Sequence, residues 1–233
     1  MIKDIINRLH SELPAAVKLV AVSKFHPFEA IEEAYAAGQR IFAESRPQEL
    51  LAKARRLEEI RAERGEPDYM SDIKWHFIGH LQTNKLKMVL PYVSLVQSVD
   101  SVRLLEAIDR WGAANCKVID VLLECFISSD ETKQGLSGQE LTDILSSETV
   151  YANVRICGLM GMATFTDDED VIREDFQRLL DMQQVLHDWI GESPNVHPGC
   201  NELSMGMSDD YPIAVAMGST IVRIGSMIFG ERD

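Results

Sequence analysis

The chain has 233 residues, with 37 acidic against 23 basic side chains, a formal charge of −14, 45% hydrophobic and 26% charged residues. That balance suits a globular protein with a sizeable core; it repels phosphodiester backbones and anionic lipid, so neither nucleic acid nor a membrane surface is an expected partner without a local basic patch. No apolar run approaches the roughly 18 residues that span a bilayer, and the four scattered cysteines, without a CxxC pair, read as reduced thiols of a cytoplasmic protein.

The predicted elements alternate along the chain. "MIKDIINRLHSEL" at the N-terminus is an amphipathic helix with internal charges rather than a signal peptide. "KLVAVS" (18–23) is a short β-branched strand, followed by "PFEAIEEAYAAG", where Phe28, Ile31, Ala34 and Tyr35 share a helical face and Gly38 can end the helix. "RIFAES" precedes a long charged helix from Gln48 to Arg64, in which "KARR" (53–56) reads as a solvated face. "IKWHFIG" (73–79) precedes a short helix from Asn84 to Leu90, and "VSLVQSV" precedes "SVRLLEAIDRWG".

"KVIDVLLECF" is the most apolar strand, and "SGQELTDILSS" is the helix after it. "VRICGLMGM" leads to Thr166, which with Glu169 forms a capping-box pattern at the head of a helix bearing Ile172, Phe176, Leu179, Gln183 and Leu186 at 3.6-residue spacing. "NELSMGM", "SDDYPIAVAMG" and "TIVRIGS" supply a seventh strand, a helix and an eighth strand. Strands alternating with helices predict a parallel sheet covered on both faces. Eight such units in one undivided chain, 1–233, predict a single-domain (β/α)8 TIM barrel, with a doubly wound open sheet as the alternative.

Chemistry in such barrels sits at the C-terminal strand ends. Lys24 ends the first strand, and if it points inward so do Val22 and Val20, while Ala21 and Leu19 face the helices. Closure would set Lys24 beside Arg223 of the last strand. A second cation and partial desolvation then favour the free amine that Schiff-base chemistry requires. Loops after strands seven and eight commonly bind phosphate. Here Ser204 and Ser208 supply hydroxyls, Gly206 allows close approach, and Gly225 and Ser226 offer N–H groups and a further hydroxyl. His76 and His80 are spaced like a helical zinc pair, yet four residues of strand part them by roughly 13 Å, so no metal site is expected and His76 reads as structural.

"AVSKFHP", "WHFIGHLQTNK", "LMGMATF", "ELSMGMSDD" and "GSTIVRIGSMIFG" resemble the motifs of the YggS/PROSC family of pyridoxal-phosphate homeostasis proteins, across residues 20 to 230. The resemblance implies a barrel like the N-terminal domain of alanine racemase, with pyridoxal 5′-phosphate held on Lys24 as a Schiff base. Ser204, Gly225 and Ser226 would bind the phosphate, Arg223 would face the pyridine nitrogen, and Ile78, His80 and Met205 would line the pocket. Ser45 stands where the family usually has asparagine, and Ser226 where threonine is common.

An arginine at the pyridine nitrogen makes the ring a poorer electron sink than a carboxylate would. The chain stops seven residues after Ser226, without the second domain that gives alanine racemases their opposing acid/base. The implied function is therefore a non-catalytic carrier that buffers the cofactor, acting in vitamin B6 and amino-acid homeostasis. A monomer is expected, with PLP-dependent apoenzymes as conceivable recipients. The alternatives are an amino-acid racemase and a cofactor-free scaffold.

Overall fold

A computed structural model describes residues 1–130 and 134–230. The helices are α1 (Ile2–Glu12), α2 (Phe28–Ala36), α3 (Pro47–Arg64), α4 (Leu86–Val89), α5 (Val102–Asn115), α6 (Gly138–Leu145), α7 (Glu169–Asp188), α8 (Tyr211–Ala216) and α9 (Ser226–Phe229). The strands are β1 (Lys18–Val22), β2 (Ile41–Glu44), β3 (Lys74–Phe77), β4 (Val93–Val99), β5 (Ile119–Cys125), β6 (Val154–Gly161), β7 (Glu202–Ser204) and β8 (Ile221–Ile224). They form one closed parallel barrel in sequence order, and β8 pairs back onto β1. The open doubly wound sheet is thereby excluded.

Alternation along each strand divides the apolar side chains into two groups. Val20, Val22, Ala43, Leu95, Leu122, Met160 and Ile221 pack together inside the barrel. Leu19, Ala21, Phe42, Phe77, Val121, Leu123, Leu159 and Val222 belong to the larger core between strands and helices. The helices contribute the stripes expected from their periodicity, among them Ile6 and Leu9 of α1 and Ile172, Phe176, Leu179 and Leu186 of α7.

Local signals set the ends of the elements. Ser137 and Glu140 form a reciprocal capping box at α6. At α7 the cap is Asp168, which accepts from the Asp170 N–H, while Thr166 accepts from Asp168 one step earlier. The capping box expected from Thr166 is therefore replaced by two successive short-range turns, because carboxylates follow at each of the next positions. The short helix expected after β3 is split into a 3-10 turn, Thr83–Lys85, and α4. The four-residue α9 lies within a stretch read only as strand and tail.

Lys53 overturns the solvated reading of "KARR". Its ammonium is buried and donates to the Glu44 carboxylate at 2.7 Å, the Ser23 carbonyl at 2.7 Å and Glu49 at 3.0 Å. Glu44 occupies the outward parity of β2, so an acid faces the helix layer, and α3 answers it with a lysine. Burial raises the Glu44 carboxyl above its ordinary range, and the Lys53 charge offsets this only in part. Lys53→Met is expected to destabilise the fold by about 3–5 kcal/mol at neutral pH, since an unpaired buried carboxylate remains. Urea denaturation should show that loss shrinking as acid neutralises Glu44; a loss unchanged with pH would refute the ion-pair account.

Candidate functional site

The barrel opens at the C-terminal strand ends onto a cavity of about 280 Å³, near the lower limit of the roughly 300–1,000 Å³ usual for small-molecule sites. Lys24, Ser45, Ile78, Arg223, Gly225 and Ser226 line it together. The β1–β8 ladder aligns Val20 with Arg223 and Ala21 with Ile224, which carries Lys24 to the same rim as Gly225 and Ser226. Lys24 is followed by Phe25 at φ 69, a left-handed turn uncommon for an aromatic residue. Contacts among the described residues hold that turn. The Phe25 N–H donates to the Glu49 carboxylate, and the Arg46 guanidinium stacks 4.4 Å from the ring centroid.

Two glycines permit the rim to close. A Cβ at Gly79 would lie 2.0 Å from the Ser45 carbonyl oxygen, so Ile78 and Ser45 reach one wall only because residue 79 lacks a side chain. Gly206 turns at φ +96 with no room for a Cβ beside Ala214, and this turn delivers Met207 and Ser208 to the cavity. There the Ser226 hydroxyl donates to the Ser208 hydroxyl at 3.0 Å. Val22, Met160, Met162 and Phe165 supply apolar lining, and His26 and Asp209 complete the rim.

A chain of hydrogen bonds runs beneath the cavity through the barrel interior. Arg223, 4% exposed, donates to Ser204 Oγ at 2.6 Å and to the Gly161 carbonyl at 3.0 Å. Ser204 donates to Gln97 Oε1 at 2.6 Å, and the Gln97 amide meets His76 Nδ1 at 2.8 Å. Burial lowers the Arg223 guanidinium to about 10, with Asp210 and Glu124 opposing the shift, so it remains charged at neutral pH. Burial, aided by the Lys18 and Lys74 ammoniums, lowers His76 to about 3. A neutral imidazole accepting at Nδ1 ends the chain, and His76 is structural.

Three expected site residues lie elsewhere. Ser204 sits under Arg223 as its acceptor, not on the cavity wall. Met205 is fully buried in the core outside the barrel, and Met207 lines the cavity instead. Strand parity carries that signal, because an inward Ser204 forces Met205 outward. His80 stands half exposed on the rim, bonded through Nδ1 to Asp100 at 2.8 Å, beside a separate hollow. His26, Met162, Phe165 and Asp209 come from loops, where neither period nor parity marks a side chain as inward.

Residues 2–233 match the family model described as alanine racemase, N-terminal domain. Proteins named pyridoxal phosphate homeostasis protein from Aquifex aeolicus and from Homo sapiens are 36% identical over 215 residues and 38% identical over 243 residues. The alignments cover 92% of this chain and 87% of the first relative, and 100% and 83% for the second. The chain belongs to the pyridoxal phosphate homeostasis protein family. Among solved structures, PipY of Synechococcus elongatus PCC7942, with PLP bound, superposes with a TM-score of 0.85 at 33% identity, covering 99% of this chain and 100% of that one. Alanine racemase from Corynebacterium glutamicum, at 15% identity and TM-score 0.69, shares the barrel over 99% of this chain and 60% of its own. Relatives in the homeostasis family are thus named for homeostasis rather than for a reaction.

Two interior groups set opposite pH slopes. His76 binds its proton less tightly in the fold than when unfolded, so it removes stability as pH falls from about 6.5 toward 3. Glu124 is raised to about 7 by burial and by Asp100, so it removes stability as pH rises from about 4.5 through 7. Glu124→Gln is expected to flatten the second slope and leave the first. Denaturation curves at pH 4, 5.5 and 7 check this, and an unaltered slope above pH 5 would contradict it.

Proposed function

We propose that this chain binds pyridoxal 5′-phosphate in the barrel cavity, holds it covalently through Lys24, and carries it without turning over an amino-acid substrate. The observation that carries this reading is the meeting of Lys24, Arg223 and the Ser208–Ser226 hydroxyl pair around one cavity. That donor set fits the group: an amine for an aldehyde, a cationic floor, hydroxyls and the Gly225–Ser226 backbone for a phosphate, and apolar walls for a flat ring. Bound, the cofactor supplies an aldehyde that condenses with a primary amine.

The remaining work belongs to the chain's own residues. Lys24 presents its amine from a turn fixed by Glu49 and Arg46. Arg223, locked by Ser204 and Gly161, offers N–H donors and no acceptor, so it takes no proton from a ligand. Ser208 and Ser226 orient an anion, and Ile78, Met160 and Met207 exclude water from one side. The names of the relatives support carriage over catalysis.

Borohydride reduction of the loaded protein followed by peptide mapping should place the adduct on Lys24, and Lys24→Ala should abolish it. An adduct spread over surface lysines, or none, would sink the reading. The double variant Ser208→Ala, Ser226→Ala should weaken cofactor binding about tenfold, the loss of roughly one anion hydrogen bond. Pure protein should leave L-alanine and D-alanine unconverted; steady interconversion that Lys24→Ala removes would favour the racemase alternative.

A further inference from the structure

Lys24 sits inside a four-residue turn, Ser23 to His26, closed by the His26 N–H donating to the Ser23 carbonyl at 3.1 Å. Phe25 takes φ 69 there, the sign that a type II turn requires at its third position, where glycine is usual. An aromatic residue persists in that conformation only when its surroundings hold it. Helix α3 supplies the hold through Glu49 and Lys53, one helical turn apart and bonded to each other at 3.0 Å. Lys53 donates to the Ser23 carbonyl at 2.7 Å. Glu49 accepts from the Phe25 N–H on the same oxygen that meets Lys53.

Those two bonds fall on either side of the Lys24 Cα. The Ser23 carbonyl belongs to the peptide plane before it, and the Phe25 N–H to the plane after it. Peptide planes are rigid, so pinning both of them gives the Lys24 Cα–Cβ bond one direction. The frame is anchored to the barrel wall, because Lys53 is 6% exposed and also bonds the buried Glu44 at 2.7 Å. Lys24 itself lines the cavity. Glu49 stands on the outer side of the turn, beside a shallow hollow that it shares with Phe25, Ala52 and Arg56.

We propose that Glu49 is a positioning residue for Lys24, with Lys53 as its counterpart, and that the pair aims the amine without touching the ligand. The inference rests on the cofactor reading and adds what makes that amine fast. In the condensation the deprotonated Lys24 amine attacks the aldehyde carbon. A C=N bond replaces C=O, and the oxygen leaves as water with both amine hydrogens. An amine already aimed gives up less freedom in reaching that geometry.

Two variants separate aim from bulk stability. Glu49→Ala removes the acceptor, whereas Glu49→Gln keeps an oxygen in its place. Amide hydrogen exchange in the cofactor-free chain reads the clamp: the Phe25 N–H should exchange about tenfold faster or more in Glu49→Ala and change little in Glu49→Gln. An unchanged rate in Glu49→Ala would overturn the proposal.

Stopped-flow mixing with pyridoxal 5′-phosphate reads the amine. Adduct formation on Lys24 should slow about tenfold or more in Glu49→Ala and recover in Glu49→Gln. Pyridoxine 5′-phosphate, the alcohol analogue that cannot condense, should bind Glu49→Ala within about twofold of the wild type. Ser137→Ala, which removes the α6 cap, controls for lost stability and should leave the adduct rate unchanged. If Glu49→Ala slows the adduct no more than Ser137→Ala, or weakens the alcohol analogue equally, Glu49 is merely structural and the proposal is refuted. If the wild type forms no adduct on Lys24, the cofactor reading falls, while Phe25 exchange still decides whether Glu49 pins the turn.

Discussion

The short ladder between β1 and β8 is the constraint on which the rest depends. It joins the first strand of the barrel to the last and sets Val20 opposite Arg223. Without it the sheet would have two open edges, and its interior residues would face water. With it, the Lys24 amine from the start of the barrel and the Ser208–Ser226 hydroxyl pair from its end share one rim. The helices contribute little to that rim directly. They hold the barrel closed from outside, and the buried Lys53 ties α3 to β2 and to the turn before Lys24.

The barrel interior is unusually polar on one side. His76, Gln97, Ser204 and Arg223 form a connected series, each member satisfying the next. Such a series stabilises little in net terms, since each group gives up water to join it. Its effect is to fix one arrangement: a guanidinium whose donors are already committed points in a set direction. The network holds its shape only while His76 stays neutral.

Much of this architecture was legible in the residues. The alternation of short β-branched runs with helical stripes predicted eight strand–helix units, and parity along "KLVAVSK" predicted which of its side chains enter the barrel. Parity applied to "ELSMGM" would equally have turned Met205 outward. The illegible parts share a cause. Lys53 looks solvated because its partner Glu44 lies on another element, at a position that sequence periodicity marks as apolar. His80 departs from the cavity because β3 ends at Phe77 and the chain bends through Ile78–Gly79 before reaching it. Long-range pairing and loop geometry carry no local period, and pattern reading fails at those places.

The cavity draws its two decisive groups from the first and the last strand of the barrel, and this has a consequence for its history during synthesis. Lys24 emerges from the ribosome well before Ser208 and its partner Ser226. Until β8 has been made and docked, the lysine has no cradle beside it and remains an ordinary exposed amine. The cavity therefore exists only in the finished barrel. Any proteolytic cut that frees β8 should dismantle the cavity at once, however intact the other seven strands remain.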